Sequence, residues 1–324
     1  MSTVIGILFI AFVGAFVAGY FLIPVLRRLA GQQIREDGPK SHLEKAGTPS
    51  MGGLLIIIGM LLAGLTFLSS TKQYFWIMLL GAALYAGIGF LDDYIKIIKK
   101  RSLGLRAKQK TILQFVLAIG IAVYAYFDEN IGTKVYIPIF HTFVDFGVLY
   151  IPFVIFFLIA VTNSVNLTDG LDGLAGNVSL VNAGAYIAVL STALFIDGAW
   201  QEESILFAGA LVGALIGFLW YNSHPASVIM GDTGAFFLGG AISMLAIVSR
   251  TELLIPIMGI MFLLSSLSSI LQVGSYKLRN KKRIFRMAPL HHHFELGGMH
   301  ETKIVARYTI VTCMTCLIAL ILII

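Results

Sequence analysis

Ten apolar runs, each near the roughly 20 residues an α-helix needs to cross a bilayer, fill most of this chain: 3–26, 52–70, 74–94, 111–127, 147–163, 176–196, 204–220, 235–249, 253–275 and 304–323. Backbone polar groups in lipid must be satisfied within the segment itself, so runs of this length read as helices. The expected fold is all-α and polytopic: a single integral membrane domain over residues 1–324 with ten transmembrane helices and both termini on one side. Only 12% of the residues are charged and the mean hydropathy is +0.88, values that leave no stretch for a separate soluble domain.

Orientation follows from the basic residues, because Lys and Arg flanking membrane spans stay cytoplasmic. With the loop after the first run placed inside, all but Lys72, Lys134 and Arg250 of the 23 basic residues lie inside, which puts both termini on the extracytoplasmic side. The first run has no basic residue before it and Arg27 and Arg28 after it, the charge order of an anchor rather than a cleaved signal peptide. A basic inner face within a net charge of +6 suits anionic lipid heads and phosphorylated substrates. Nucleic acid is not expected, since the basic residues sit in separate loops against the membrane. Cys313 and Cys316 lie one turn apart inside the last run with no second pair to complete a zinc site, and read as small structural residues. Residues 134–139 alternate and predict a small hairpin, with Pro138 confining it to an edge.

Four polar clusters interrupt the apolar runs, and in the alternating topology all four emerge on the cytoplasmic side. Asp92 and Asp93 close the third run. Adjacent helical residues point about 100° apart, so the two carboxylates cannot share one task equally; the plain alternative is an interfacial acid pair neutralised by Lys96. Asn163, Asn166, Asp169 and Asp172 recur every third residue, as neighbours on a helix or tight turn would, and Gly170, Gly173 and Gly176 let a ligand approach the backbone. Side chains that offer oxygen ligands beside glycines suit Mg²⁺ with phosphate, whereas the calcium-loop spacing is missing. Asp232, between glycines just before the eighth run, is a further metal-ligand candidate or a helix N-cap. His291, His292 and His293 project in different directions, which makes them poor joint ligands for one tetrahedral ion and better donors to phosphate oxygens.

Together these segments resemble the phospho-N-acetylmuramoyl-pentapeptide-transferase family, within the wider polyprenyl-phosphate sugar-1-phosphate transferases. The similarity runs in order through GPKSHLEKAGTPSMGG at 38–53, DDYIK at 92–96, NSVNLTDGLDGLA at 163–175, MGDTG at 230–234 and PLHHHFE at 289–295. It implies ten transmembrane helices around a cytoplasmic-facing cleft, often as a homodimer, in the plasma membrane of a bacterium. The implied reaction moves phospho-MurNAc-pentapeptide from UDP-MurNAc-pentapeptide to undecaprenyl phosphate with Mg²⁺, releasing UMP. Carried over by position, Asp232 resembles the metal-binding acid, and Asp92 and Asp93 the acids implicated in catalysis. Lys45, Asn166, Asp169, Gly170, Leu171, Asp172, Asn222 and Gln272 resemble nucleoside-side contacts, with Ser50, Gly231 and His293 also at substrate-binding positions and His291 and His292 near the diphosphate. Ser50, Ile229 and Ala235 depart from the family pattern, and Ile229 removes an aromatic that could stack on uracil.

Two rivals stand beside this reading: a sister transferase using UDP-N-acetylglucosamine, and a secondary transporter. Transporters set acids near the midplane in broken helices and show repeated halves; here every candidate acid lies at an inner helix end.

Overall fold

The computed structural model describes residues 2–29, 47–99, 101, 103–192 and 200–324; Lys45 and the end of the run at 176–196 lie outside them. Helix α1 (Ser2–Leu29) is apolar on every side, yet only one stripe of it is covered: Ile7, Ala11, Gly14, Ala15, Gly19, Ile23 and Leu26. These positions recur at three- and four-residue intervals and are mostly small, which lets neighbouring backbones come close. The large Phe9, Tyr20 and Phe21 stay exposed, as side chains facing acyl chains would. On the covered stripe pack α2 (Gly53–Thr66) and α7 (Gln201–Asn222).

The centre is α8 (Gly231–Val248), in which every residue from 233 to 248 is buried. Around it stand α2, α3 (Gln73–Ile98) and α5 (Tyr150–Thr168). A helix hydrophobic all round belongs in such a place. At the periphery, α4 (Ala107–Phe127) rests on α5 and buries only Gln114, Ala118, Ala122 and Ala125. The other flank is α6 (Leu174–Leu190), packed on α7 and on α12 (Glu301–Ile321).

Among the described residues, seven helices are long and apolar enough to cross a membrane, and an eighth span results if α9 (Ile255–Met258) and α10 (Ile260–Leu278) count as one. That pair corrects the continuous helix expected at 253–275: it bends by 80° at Gly259, the kind of residue at which sharp kinks arise. α2 and α6, with 14 and 17 residues, occupy two further predicted runs but reach only about 21 and 26 Å at 1.5 Å per residue, short of a hydrocarbon core of about 30 Å. α2 stops at Thr66, well before residue 70, because the chain turns back and Thr71 donates its hydroxyl to the Gly64 carbonyl at 2.9 Å.

One small sheet interrupts the helical plan at the expected place. β1 (Lys134–Ile137) and β2 (Thr142–Asp145) run antiparallel with Val135 opposite Val144, and Pro138 follows β1 directly. Tyr136 donates its N–H to the Arg250 carbonyl at 2.9 Å, tying the hairpin to the turn after α8. In α12, Cys313 is exposed and Cys316 buried, and neither is in a disulfide.

A carboxylate and lysine cluster as the candidate active site

The last turns of α3 pass against the first turn of α8 so closely that a Cβ at Gly89 would collide with the Asp232 carbonyl oxygen. Only glycine permits that approach, and it brings Asp92 and Asp93, one turn further on, to the start of α8. Asp93 is almost fully buried, and its Oδ2 accepts the Thr233 N–H at 2.9 Å and the Thr233 hydroxyl at 2.8 Å, while Oδ1 accepts the Asp232 N–H at 3.3 Å. A helix N-terminus leaves donors without partners, and α8 has no side-chain cap of its own. Asp93 therefore does from a neighbouring helix what a local cap would do, and Asp232 is not the N-cap of its alternative reading. Gly231 precedes this turn with φ at +73°, a conformation that favours glycine.

Asp92 turns the other way. Lys96 Nζ lies 2.7 Å from its Oδ2 and Lys110 Nζ 3.1 Å from its Oδ1, which also accepts the Leu105 N–H at 2.7 Å. The same two ammonium groups reach Asp232 Oδ2, at 3.1 Å from Lys96 and 2.6 Å from Lys110. Asn166 closes the cluster by donating Nδ2 to Asp232 Oδ1 at 3.0 Å. In their ionised forms three carboxylates face two ammoniums, so one negative charge remains. Asp232 is the accessible acid, with a side chain 19% exposed against 1% for Asp92 and 3% for Asp93.

Residues 49–53 are bound to the residues before α8. Ile229 donates N–H to Pro49 O at 2.8 Å, and Gly52 and Gly53 donate to Ile229 O and Met230 O at 2.9 and 3.0 Å. Ser50 Oγ stands beside Gly231: a Cβ there would lie 2.7 Å from it and 2.7 Å from Asp93 Oδ2. Two segments far apart in sequence thus form one support beneath Asp232.

The polar series from Asn163 to Asp172 is divided rather than kept on one face. α5 ends at Thr168, so the three-residue spacing holds only through Asn166. Asn163 pairs with Gln114 of α4, Asn166 joins the acid cluster, and Asp169 follows the helix end. Beyond it, Gly170 lies so close to His291 that a Cβ would strike the imidazole Nε2, and Leu171 is buried. Asp172 belongs to a second group: its Oδ2 accepts the Ala226 N–H at 3.1 Å and lies 3.3 Å from His224 Nδ1, while its own N–H is donated to Glu301 Oε1. Asn222 anchors the same region, accepting the Gly173 N–H at 3.0 Å and donating to Val228 O at 2.9 Å.

The three histidines diverge. The rings of His291 and His292 lie 4.2 Å apart at 66°, His292 Nδ1 is 3.0 Å from Glu295 Oε2, and His293 Nδ1 accepts the Arg286 N–H at 3.1 Å. All three sit on α11 (Leu290–Glu295). The Gln272 amide is bonded to backbone, accepting from Ile284 and Phe285 N–H and donating to Phe285 O, each at 3.0 Å. Sequence reasoning missed Lys110, Thr233, His224 and Glu301 as members of these groups. Lys96 had a signal in its i+4 spacing from Asp92; Lys110 was one of seven basic residues in a loop and nothing singled it out.

Asp92, Asp93 and Asp232 offer oxygens within 4.8 Å of one another, as do Asp172, His224 and Glu301 with one imidazole nitrogen. The all-oxygen set suits a hard cation. Within it Asp93 is committed to α8, leaving Asp232 the side chain best able to hold an ion.

Known proteins resemble this chain over most of its length. Residues 75–250 match the model of glycosyl transferase family 4, and residues 45–57 match phospho-N-acetylmuramoyl-pentapeptide-transferase signature 1. The chain is 46% identical over 304 residues to the phospho-N-acetylmuramoyl-pentapeptide-transferase of Caldanaerobacter subterraneus subsp. tengcongensis, covering 94% of this chain and 93% of that one. It is 48% identical over 291 residues to the protein of the same name from Heliobacterium modesticaldum, covering 90% and 88%. The like-named protein of Clostridium novyi is 44% identical over 321 residues, 98% and 96% of the two chains.

Proposed function

The chain belongs to the phospho-N-acetylmuramoyl-pentapeptide-transferase family, and on that premise we propose that it transfers phospho-MurNAc-pentapeptide from UDP-MurNAc-pentapeptide to undecaprenyl phosphate, forming lipid I and UMP. The observation that carries this reading is the meeting of Asp92, Asp232, Lys96 and Lys110 at the ends of apolar helices. Phosphoryl transfer asks for in-line positioning and charge neutralisation more than for covalent protein chemistry. An acceptor phosphate carried on a polyprenyl chain is presented at such helix ends.

In this reading Lys96 and Lys110 neutralise phosphate oxygens, and Asp92 orients both lysines. Asn166 holds one oxygen of Asp232 so that the other faces the site, and Asp93 keeps α8 aimed. Asp232 would hold Mg²⁺, which when bound supplies charge neutralisation at the transferring phosphoryl group. Lys45, Asp169, Gly170, Leu171, Asp172, Asn222 and Gln272 form or support the nucleoside side, with Ser50, Gly231 and His293 supporting the substrate and His291 and His292 at the diphosphate. The basic split supports a multi-pass protein of the bacterial plasma membrane, with ten spans that include α2, α6 and the bent α9 and α10, both termini outside and the cleft cytoplasmic. Family resemblance supports a homodimer among membrane lipids.

Purified protein supplied with Mg²⁺ and undecaprenyl phosphate should release UMP from UDP-MurNAc-pentapeptide and not from UDP-N-acetylglucosamine. Release from the second donor alone would move the chain to the sister transferases; release from neither would overturn the reading. For the topology, single cysteines replacing Lys108 and Glu129, with Cys313 and Cys316 removed, should react with an impermeant reagent from opposite sides of intact cells. Equal labelling would sink the ten-span arrangement.

A further inference from the structure

Of the four residues α4 buries, three are alanines and the fourth is Gln114, 1% exposed. Across from it on α5 stands Asn163, whose Nδ2 donates to Gln114 Oε1 at 2.7 Å, while Gln114 Nε2 reaches Asn163 Oδ1 at 3.4 Å. Asn163 Nδ2 also donates to the Ile159 carbonyl at 2.7 Å, which fixes its rotamer. One turn along α4 from Gln114 is Lys110; one turn along α5 from Asn163 is Asn166. Those two close on Asp232 from its two sides, Lys110 on Oδ2 at 2.6 Å and Asn166 on Oδ1 at 3.0 Å.

We propose that Gln114 is a positioning residue, whose amide pair with Asn163 sets the register of α4 on α5 at which Lys110 and Asn166 grip Asp232. The proposal rests on the transferase reading. Ala118, Ala122 and Ala125 let the helices come close, but a row of methyl groups says little about sliding along the axis. A slip of one residue moves α4 by about 1.5 Å, enough to carry Lys110 out of ion-pair distance. A directional pair of buried amides does specify register, as a single buried polar residue does in coiled coils, because sliding strips the Gln114 amide of its partner in a low dielectric and leaves Asn163 only its bond to Ile159. Interhelical hydrogen bonds inside membranes add little stability on average. The pair therefore acts through geometry more than through stability.

The test uses the full-length protein in nanodiscs. Gln114→Leu keeps the volume and removes the amide; Gln114→Asn, Asn163→Gln and the double swap shorten one arm, lengthen the other, and do both. Gln114→Leu should lower kcat about tenfold, in the range caused by ångström-scale misplacement, with KM for the UDP substrate and Tm near those of the wild type. Each single swap should be impaired and the double swap should recover most of kcat. Acylation of Lys110 by an amine-reactive reagent, read by mass spectrometry, should rise in Gln114→Leu and return in the double swap. Unchanged kcat in Gln114→Leu, or a double swap no better than the two singles combined, would overturn the proposal. Wild-type protein that transfers nothing would sink the transferase reading instead, and Lys110 acylation would still decide the register.

Discussion

The two ends of α3 are each involved with buried carboxylates, to different effect. At its start, Glu203 from α7 accepts the Phe75 N–H at 3.0 Å and serves as a cap contributed by another helix. At its far end Asp93 does the same for α8, yet its neighbour Asp92 shares two lysines with Asp232. Lys96 Nζ also lies 3.3 Å from Asp93 Oδ1, but three of the donors to Asp93 belong to the first turn of α8, and it holds that helix in place. Asp92 and Asp232 share both ammonium groups, and Asp232 is partly exposed, which makes a site that can exchange partners with a ligand. Adjacent residues of the same type can thus belong to different classes, and burial alone does not separate them.

The largest expected effect tests the open carboxylate. Asp232→Asn should lower the rate of UMP release about 100- to 1,000-fold, as loss of a main electrostatic element does, and raised Mg²⁺ should restore part of it. An ordinary Mg²⁺ curve for this variant would remove the metal assignment. Asp92→Asn should cost up to about 100-fold, as misplacement of reacting groups does, and stay equally impaired from about pH 6 to 9, a range that starts at the second pKa of a phosphate monoester. A defect that shrinks as pH rises would make Asp92 a base and break the grouping. Asp93→Asn should instead show first in stability, lowering it by about 2–3 kcal/mol for hydrogen bonds to a buried charged group, measured by thermal unfolding in detergent. Glu203→Gln is the small end of the series: about 1 kcal/mol, the usual value of a cap, with turnover near that of the wild type. Turnover falling as far as in Asp232→Asn would abolish the distinction between the two ends of α3.

The sequence made the long spans legible because hydropathy is a local property, and the hairpin because alternation at 134–139 is local too. The break at Gly259 was not legible: a single glycine inside a long apolar run is compatible with a straight helix, and only packing decides whether it bends. Asp92, Asp93 and Asp232 were recognisable as acids at the ends of apolar runs, where charge is costly. Their division of labour was not, since it depends on which donors of α8 meet which oxygen. Lys110 reaches Asp232 across 122 residues, and no periodicity encodes such a meeting. The three-residue spacing of Asn163, Asn166, Asp169 and Asp172 suggested one face, but the end of α5 at Thr168 sends the last two elsewhere.

The crowding of Ser50 Oγ and Asp93 Oδ2 into the space a Gly231 side chain would need has an evolutionary consequence. Positions 50, 93 and 231, contributed by three distant stretches, share one small volume, so a side chain at 231 would have to displace the other two. Segments lifted singly from one relative into another should fail more often than all three exchanged as a set, even where each donor segment works in its own background.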